Sequence, residues 1–407
     1  MSEPGLLATR RQDDPAPAPP QLASRSIVWL IGCIAFINVY AMQSVLPLLM
    51  ADFDASPVQA GLTVGATILA VALLSPFMGL LSDAWGRKGL ICTSLFALVL
   101  PTVLIPLAAS LNQVIALRFL QGLAVPGIVV VLMAYLAEEF QATGGVARMI
   151  STYVAGSVMG GFSGRFIAGH AAHWWGWQGA FLTLALLTLS GGLLVLWRLP
   201  RSRHFVPSRD WRSALASLRS HLGNPRLLAA CAVGFCVLFS LVGSFTYVNL
   251  HLAGAPFRLS AAGLANVFTV YLLGVLVTPL AGRLIQRWGF LRTLLGALLA
   301  SSGGLLLTLL PALAPVILGL AICSSAIFVC QAATISFIAG QVSQGRSLAT
   351  GLYNMSYYSG GALAAWVAGL GYESQGWSGV VALMILAQLL AGSVAALSWQ
   401  RAPGRSA

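Results

Sequence analysis

Gly79-Leu80-Leu81-Ser82-Asp83-Ala84-Trp85-Gly86-Arg87-Lys88 is a short polar stretch between two long apolar segments. It places one carboxylate and two cations in a connection too short to leave a membrane surface. A generic polar loop would explain a single such stretch. However, Gly282-Arg283-Leu284-Ile285-Gln286-Arg287-Trp288-Gly289 repeats its pattern 203 residues later, with glycines and a tryptophan in matching positions. The chain therefore resembles two copies of one half.

The composition indicates a polytopic membrane protein. Hydrophobic residues make up 58% of the 407 residues and charged residues only 8%, against about 25% in soluble proteins. The mean hydropathy is +0.87. The net charge of +12 comes from residues in short segments between apolar runs, so it does not form the continuous basic surface that nucleic-acid binding requires.

The cysteines give no sign of a metal, redox or disulfide site. All six lie inside apolar runs, and none has the spacing of a zinc or thioredoxin motif. They are Cys33, Cys92, Cys231, Cys236, Cys323 and Cys330. We interpret them as small packing residues, and we expect no cofactor.

Twelve apolar runs are long enough to cross a bilayer, which takes about 20 residues. They must be helices, because open strand edges cannot satisfy their backbone hydrogen bonds in lipid. In chain order these predicted spans 1 to 12 are 26–49, 58–80, 90–110, 112–136, 147–170, 178–198, 226–252, 260–281, 291–311, 313–338, 347–371 and 377–399. The predicted fold class is all-α, with twelve transmembrane helices in two pseudo-symmetric six-helix bundles.

Basic residues are concentrated on one side of the predicted membrane. With both termini on that side, its segments hold 19 of the 22 basic residues; Arg258 lies on the other side, and Arg118 and Arg165 lie within spans. We call the two sides the basic face and the opposite face. The positive-inside rule predicts that the basic face, with both termini, is cytoplasmic, as in a multi-pass protein of the cell inner membrane.

Polar segments divide the chain into five parts. Residues 1–25 are proline-rich and predict a disordered cytoplasmic tail, not a signal peptide, since the apolar run that follows is too long and lacks a cleavage site. Residues 26–199 form the first bundle, 226–400 the second, and 401–407 a second tail. The linker 200–225 combines arginines with an apolar stripe, which predicts an amphipathic helix on the inner membrane surface.

A second repeat supports this division. Seven residues of spans 5 and 6 recur 200 positions later in spans 11 and 12: Tyr153, Gly160, Gly161, Gly169, Gly176, Trp177 and Gly179 match Tyr353, Gly360, Gly361, Gly369, Gly376, Trp377 and Gly379.

From Ser26 to Trp399 the chain resembles the major facilitator superfamily, and within it the twelve-span drug and metabolite exporter branch that includes arabinose-efflux-type permeases. The decapeptide Gly79–Lys88 is similar to the family's loop between helices 2 and 3. Arg118-Phe119-Leu120-Gln121-Gly122 is similar to its Arg-x-x-Gln-Gly motif. Gly156–Gly164 resembles the glycine-rich antiporter motif, but Gly161 stands where that motif has proline.

The resemblance implies a cytoplasmic gate at the decapeptide. Asp83 and Arg87 would clasp the two bundles while the cavity faces outward, with Asp83 at the positive N-terminal end of span 11. Gln286 replaces the corresponding acid in the second half, so a weaker gate is expected there. The alternative is a solvated turn that fixes topology through its cations. The predicted gate residues are Gly79, Asp83, Gly86, Arg87 and Lys88.

Arg118 is the strongest single candidate for a substrate-binding residue. A charge inside a span costs about 2.5–3.5 kcal/mol on insertion scales, so it normally faces a polar cavity or a partner; a structural ion pair or snorkelling is the alternative. Arg165 is left open between snorkelling, helix packing and function. In this family spans 1, 4, 7 and 10 line the cavity, flanked by 5 and 11. The predicted cavity residues are Asn38, Tyr40, Gln43, Arg118, Gln121, Tyr247, Asn249, Gln331, Tyr353, Asn354 and Tyr357.

Glycines in spans 5 and 11 predict close helix packing that also permits sliding during transport. These residues are Gly156, Gly160, Gly161, Gly164, Gly360 and Gly361.

The sequence favours a secondary transporter that moves a small organic solute by alternating access, as an exporter and a monomer. No nucleotide-binding loop is present, and no acid cluster of an enzyme appears. A facilitative uniporter, a metabolite importer and a membrane sensor are the alternatives. No acid lies mid-span, so proton coupling would have to use a peripheral carboxylate. Asp52 is the best placed, and Glu138 is second, although an ion pair with Arg87 or Arg148 explains Glu138 better.

Overall fold

The computed structural model describes residues 23–141, 144–202, 220–342 and 346–399. Within these ranges every regular element is helical, as expected where the backbone must satisfy its own hydrogen bonds in lipid. Most of the predicted N-terminal tail, the C-terminal tail and the centre of the linker 200–225 lie outside the described residues. The side chains of Gly79, Leu80, Asp83 and Ala84 are also outside them.

The first half contains spans 1 to 6. Serines cap several of its helices. The Ser56 side chain accepts a hydrogen bond from the backbone N–H of Gln59, and the Gln59 side-chain oxygen accepts one from the backbone N–H of Ser56, a capping box that fixes the start of span 2. The helices are Arg25–Ile37 and Leu46–Phe53 (span 1), Pro57–Trp85 (span 2), Arg87–Leu104 (span 3), Leu111–Phe140 (span 4) and Val146–Arg198 (spans 5 and 6).

The second half contains spans 7 to 12. Asn224 caps span 7 by accepting hydrogen bonds from the backbone N–H groups of Arg226 and Leu227. The helices are Pro225–Ala253 (span 7), Ala261–Val267 (the start of span 8), Val270–Leu307 (the rest of span 8 and span 9), Leu313–Gln341 (span 10) and Arg346–Ser398 (spans 11 and 12).

Left-handed glycines separate consecutive spans. Gly176 (φ 69°), Gly289 (φ 80°) and Gly376 (φ 63°) interrupt the three longest helices, and Gly86 (φ 88°) lies between spans 2 and 3. Only glycine adopts this conformation without steric cost. The matched glycines of both sequence repeats therefore mark matched turns. Eight described helices are long and apolar enough to cross a membrane, or nine with bent span 1 counted; dividing three of them at these glycines gives the predicted twelve spans.

Span 1 is broken near its middle. Its helix ends at Ile37, a 3-10 turn Ala41–Val45 follows, and the axis bends by 44°. Residues 38–40 lie in the break, so their backbone carbonyls are free to accept hydrogen bonds from outside the helix.

Span 5 packs on span 1 through three glycines at four-residue intervals. A Cβ atom on Gly156, Gly160 or Gly164 would overlap the backbone of Trp29, Cys33 or Ile37, respectively. In the second half, Gly360 of span 11 meets the carbonyl of Phe235 in span 7 in the same way. Gly361 faces the Leu238 side chain, and Gly161 has only ordinary contacts. The close contacts of the glycines predicted to pack spans 5 and 11 thus lie within each half.

Buried apolar side chains form two clusters. One joins both halves, and its first-half members, such as Leu46, Val64 and Phe181, all lie towards the opposite face. The buried members of the other, such as Ile91 and Leu132, all belong to the first half and lie towards the basic face. The described halves therefore share a core at the opposite face.

Candidate functional site

Arg118 of span 4 closes the break in span 1. Its side chain is fully buried. Nη1 donates to the carbonyl oxygen of Asn38 at 2.7 Å, Nη2 to that of Val39 at 2.6 Å, and Nε to that of Thr63 in span 2 at 3.0 Å. The guanidinium thus replaces the N–H groups that the broken helix cannot supply, and it ties spans 1, 2 and 4 together.

The spacing of the Arg-x-x-Gln motif follows from this network. Gln121 lies one helical turn after Arg118, accepts a hydrogen bond from its Nη1 at 2.6 Å and donates to Thr102 Oγ1 in span 3 at 2.7 Å. Thr67 of span 2 donates to the Arg118 carbonyl oxygen at 3.0 Å. Both motif side chains are enclosed here, and their assignment to the cavity stays a prediction.

Arg165 of span 5 lies between the two halves. Its side chain is 3% exposed, so it does not snorkel to water. Nε donates to Gln43 Oε1 at 2.7 Å, and Nη1 donates to the carbonyl oxygen of Gly161 at 2.6 Å. Three aromatic rings lie within 5 Å of the guanidinium carbon: Tyr40 at 4.5 Å, Phe268 at 4.9 Å and Tyr271 at 4.7 Å. Cation–π attraction operates at these distances.

Gln43 continues this contact into the second half. Its Nε2 donates to Thr246 Oγ1 of span 7 at 2.9 Å. Tyr40 and Gln43 were predicted cavity residues, but Thr246, Phe268 and Tyr271 were not. These three are ordinary residues of apolar spans, and nothing in their sequence context sets them apart.

A second junction between the halves lies beside span 2. The backbone N–H of Val58 donates to Glu373 Oε1 at 3.1 Å. The Tyr247 hydroxyl donates to the carbonyl oxygen of Ala365 and lies 3.4 Å from that of Pro57. Both ends of the junction are at the opposite face, because Pro57 begins span 2 there. Glu373 is one of the acids that lie outside the middle of any predicted span.

The remaining predicted cavity residues differ in exposure. Asn38, Asn249, Tyr353 and Tyr357 are buried, whereas Tyr40, Gln331 and Asn354 are half-buried. Asn249 donates to the Phe245 carbonyl of its own helix at 2.6 Å. The rings of Tyr353 and Tyr357 stack with centroids 5.6 Å apart.

At the basic face, Arg87 is buried against span 4. It donates to both carboxylate oxygens of Glu138, from Nη2 at 2.5 Å and from Nε at 3.2 Å, and also to Ser82. The expected ion pair of Glu138 is therefore confirmed. Gly86 and Lys88 border a cleft of about 340 Å³ together with Arg201. The predicted gate contact of Asp83 lies outside the described side chains.

Asp52 lies exposed at the opposite face. Its Oδ2 accepts a hydrogen bond from Trp177 Nε1 at 2.8 Å and has Gln178 Nε2 at 3.5 Å. The carboxylate thus ties span 1 to the turn between spans 5 and 6.

Comparison with known proteins decides the family. Residues 28–277 match the sequence model of the Major Facilitator Superfamily. The chain belongs to this superfamily. Membership of the Major Facilitator Superfamily makes it a multi-pass membrane transporter of the twelve-helix fold, with a small-molecule substrate, and not an enzyme.

Relatives agree over nearly the whole length. An uncharacterised transporter of Buchnera aphidicola subsp. Schizaphis graminum is 31% identical over 89% of this chain and 88% of the relative. The inner membrane transport protein YnfM of Escherichia coli K12 is 31% identical over the same shares. Among solved structures, a bacterial homologue of the human lysosomal transporter Spinster, in an inward-facing and occupied conformation, superposes with a TM-score of 0.78 at 15% identity, covering 93% of this chain and 98% of the homologue.

Proposed function

We propose that this chain exports a small organic solute across the inner membrane by alternating access of its two halves. The observation that carries the proposal is the position of the contacts between them. Among the described residues, hydrogen bonds and cation–π contacts join the two halves at Gln43, Val58, Arg165 and Tyr247, and all of them lie towards the opposite face.

The distribution of basic residues indicates which face of the protein is cytoplasmic. Nineteen of the 22 basic residues lie on the basic face or its tails, which by the positive-inside rule is cytoplasmic together with both termini. The buried cluster towards that face has no buried member from the second half. The described arrangement therefore fits a transporter closed to the outside, and rocking of the halves would open it there.

Cross-linking the halves at the opposite face is expected to stop transport. A Cβ atom on Gly65 of span 2 would lie 2.8 Å from Cβ of Ala365 in span 11, within about 1 Å of the separation in a disulfide. Oxidising the Gly65→Cys/Ala365→Cys variant in proteoliposomes should lower exchange of a panel of small organic solutes, measured by mass spectrometry, to below about 10% of the parent value. Reduction should restore it.

A matched pair within one half provides the control. Cβ of Gly127 in span 4 would lie 3.0 Å from Cβ of Ser94 in span 3, so the Gly127→Cys/Ser94→Cys disulfide leaves the halves free to move. Exchange should survive its oxidation. Full exchange by the oxidised Gly65→Cys/Ala365→Cys protein would contradict alternating access, and a parent that exchanges no solute would contradict transport itself.

We further propose that Asp83 closes the basic face when the opposite face opens. Asp83→Asn removes the negative charge that is stabilised at a helix N-terminus, so the state closed at the basic face should become less stable. Transport should slow about tenfold or more, which corresponds to an increase of about 1.4 kcal/mol in the free-energy barrier. A thiol introduced by Asn354→Cys, at a half-buried position of span 11, should react faster with a maleimide supplied from the basic face. Gln286→Glu should change neither rate. Unchanged labelling and transport in Asp83→Asn would exclude the gate.

Proton coupling, where it operates, is proposed to use Asp52. Asp52 is exposed and can exchange protons with the outside. Its hydrogen bonds to the turn between spans 5 and 6 would change if span 5 moved, which supports this role. Glu138 is the weaker candidate, because Arg87 occupies both of its oxygens.

A further inference from the structure

Arg165 is a buried cation without a carboxylate partner among the described residues. Arg87, the buried cation at the basic face, has Glu138. Arg118 has four hydrogen bonds that use all three of its nitrogens. At Arg165 the described partners use only Nε and Nη1, which leaves Nη2 as a donor for another group.

The surroundings of Arg165 compensate its charge only in part. The attraction between a cation and an aromatic face is smaller than the free-energy cost of removing an ion from water. Amide and carbonyl oxygens offset some of this cost but carry no net charge. A negatively charged group at Nη2 would neutralise the site, and no described residue supplies one.

A second polar group at the same place also lacks a partner. The Tyr271 hydroxyl is buried and makes no hydrogen bond within the described structure, although its ring lies against the guanidinium. Most buried hydroxyls are hydrogen-bonded. An anion bound to Nη2 could accept a hydrogen bond from this hydroxyl as well.

Arg165 lies inside its helix and not at its end. It precedes the break at Trp175 by ten residues, or about 15 Å along the helix axis. Tyr40 and Gln43 come from one half, and Phe268 and Tyr271 from the other. Separation of the halves at the opposite face would remove two rings from the guanidinium and let a bound solute leave on that side.

We propose that Arg165 binds the anionic group of the transported solute and that the solute is a small organic anion with a flat or aromatic body. This inference rests on the proposed function. Nη2 and the Tyr271 hydroxyl hold the anionic group, while the rings of Tyr40 and Phe268 flank the body. When the anion leaves and the halves close at the opposite face, the aromatic rings again cover the guanidinium.

Binding of simple probes to the purified protein in nanodiscs tests the charge preference. We expect benzoate, benzenesulfonate or phenylphosphonate to bind at least tenfold more tightly than neutral benzamide, measured by isothermal titration. Arg165→Gln should abolish this preference, Arg165→Lys should retain part of it, and Tyr271→Phe, which keeps the ring, should weaken anion binding several-fold. Arg198→Gln, an exposed arginine at the basic face, should leave binding unchanged.

The outcomes separate this inference from the proposed transport. A parent protein that binds none of the three anions better than benzamide would overturn the inference. An Arg165→Gln protein that folds and still binds anions more tightly than benzamide would also overturn the inference. Arg165 would then have only a structural role in the contact between the halves. Either result is compatible with transport, which the disulfide experiment measures independently. Should Arg165→Gln fail to fold, Tyr271→Phe decides, since its ring contacts remain; unaltered anion binding by Tyr271→Phe would then count against the inference.

Discussion

Replacing Arg118 by methionine is expected to destabilise the protein more than removing any other described charge. The change would leave the carbonyl oxygens of Asn38, Val39 and Thr63 without their donor in a fully buried site. Each buried polar group left unsatisfied costs about 1–3 kcal/mol. Relief from burying the charge offsets part of this, and we expect a net loss of about 3 kcal/mol or more.

Lysine at position 118 should rescue only part of the loss. Its single ammonium has three donors on one atom and cannot span acceptors that the planar guanidinium reaches from three nitrogens. Thermal unfolding in detergent, followed by fluorescence-detected size exclusion, measures their stability. We expect the unfolding temperature to decrease from the parent to Arg118→Lys and further to Arg118→Met. Arg198→Gln serves as the control for removal of a surface charge. Equal stability of Arg118→Met and parent would show that the break in span 1 does not need the guanidinium.

The second large effect is expected at Gly164. A methyl group there would overlap the carbonyl oxygen, carbonyl carbon and Cα of Ile37. Backbone cannot rotate away as a side chain can, so Gly164→Ala must push spans 1 and 5 apart. Overpacking of this kind costs typically 1–3 kcal/mol, and disturbance of the adjacent break places the expected value at the upper end.

Gly161 is a matched control on the same helix. A Cβ atom there would lie 3.6 Å from Arg165 Nη1 and 4.0 Å from the Tyr40 ring, both ordinary contacts. Gly161→Ala should therefore be neutral, or more stable by up to about 1 kcal/mol because alanine favours the helix. The same unfolding assay compares the two variants. Similar stability of both would mean that spans 1 and 5 are not held at the distance described here.

Periodic and repeated features of the fold were predictable from the sequence. The lengths of the apolar runs predicted the twelve spans. The matched glycines of the two repeats lie at the turns that divide the long helices into separate spans. The Arg-x-x-Gln spacing identified Arg118 and Gln121, which do share a hydrogen bond. These features depend on local chemistry: lipid demands helices, and a left-handed turn demands glycine.

The partners of the two arginines were not predictable in this way. The break in span 1 occurs at Asn38-Val39-Tyr40 without proline or glycine, so the free carbonyls that hold Arg118 have no sequence signature. The rings around Arg165 include Phe268 and Tyr271, about one hundred positions later in the chain. In composition they cannot be distinguished from lipid-facing aromatics, and only the packing of the halves brings them to the cation.

The acceptors of Arg118 also bear on how the protein enters the membrane. Insertion of an arginine at the centre of a helix costs about 2.5–3.5 kcal/mol. The carbonyl groups that bind Arg118 belong to Asn38, Val39 and Thr63, all of which precede it in the chain. During synthesis, spans 1 and 2 leave the ribosome before span 4, so the nascent arginine meets acceptors that are already in the bilayer. Because its acceptors precede it in the chain, Arg118 can be hydrogen-bonded as soon as span 4 enters the membrane.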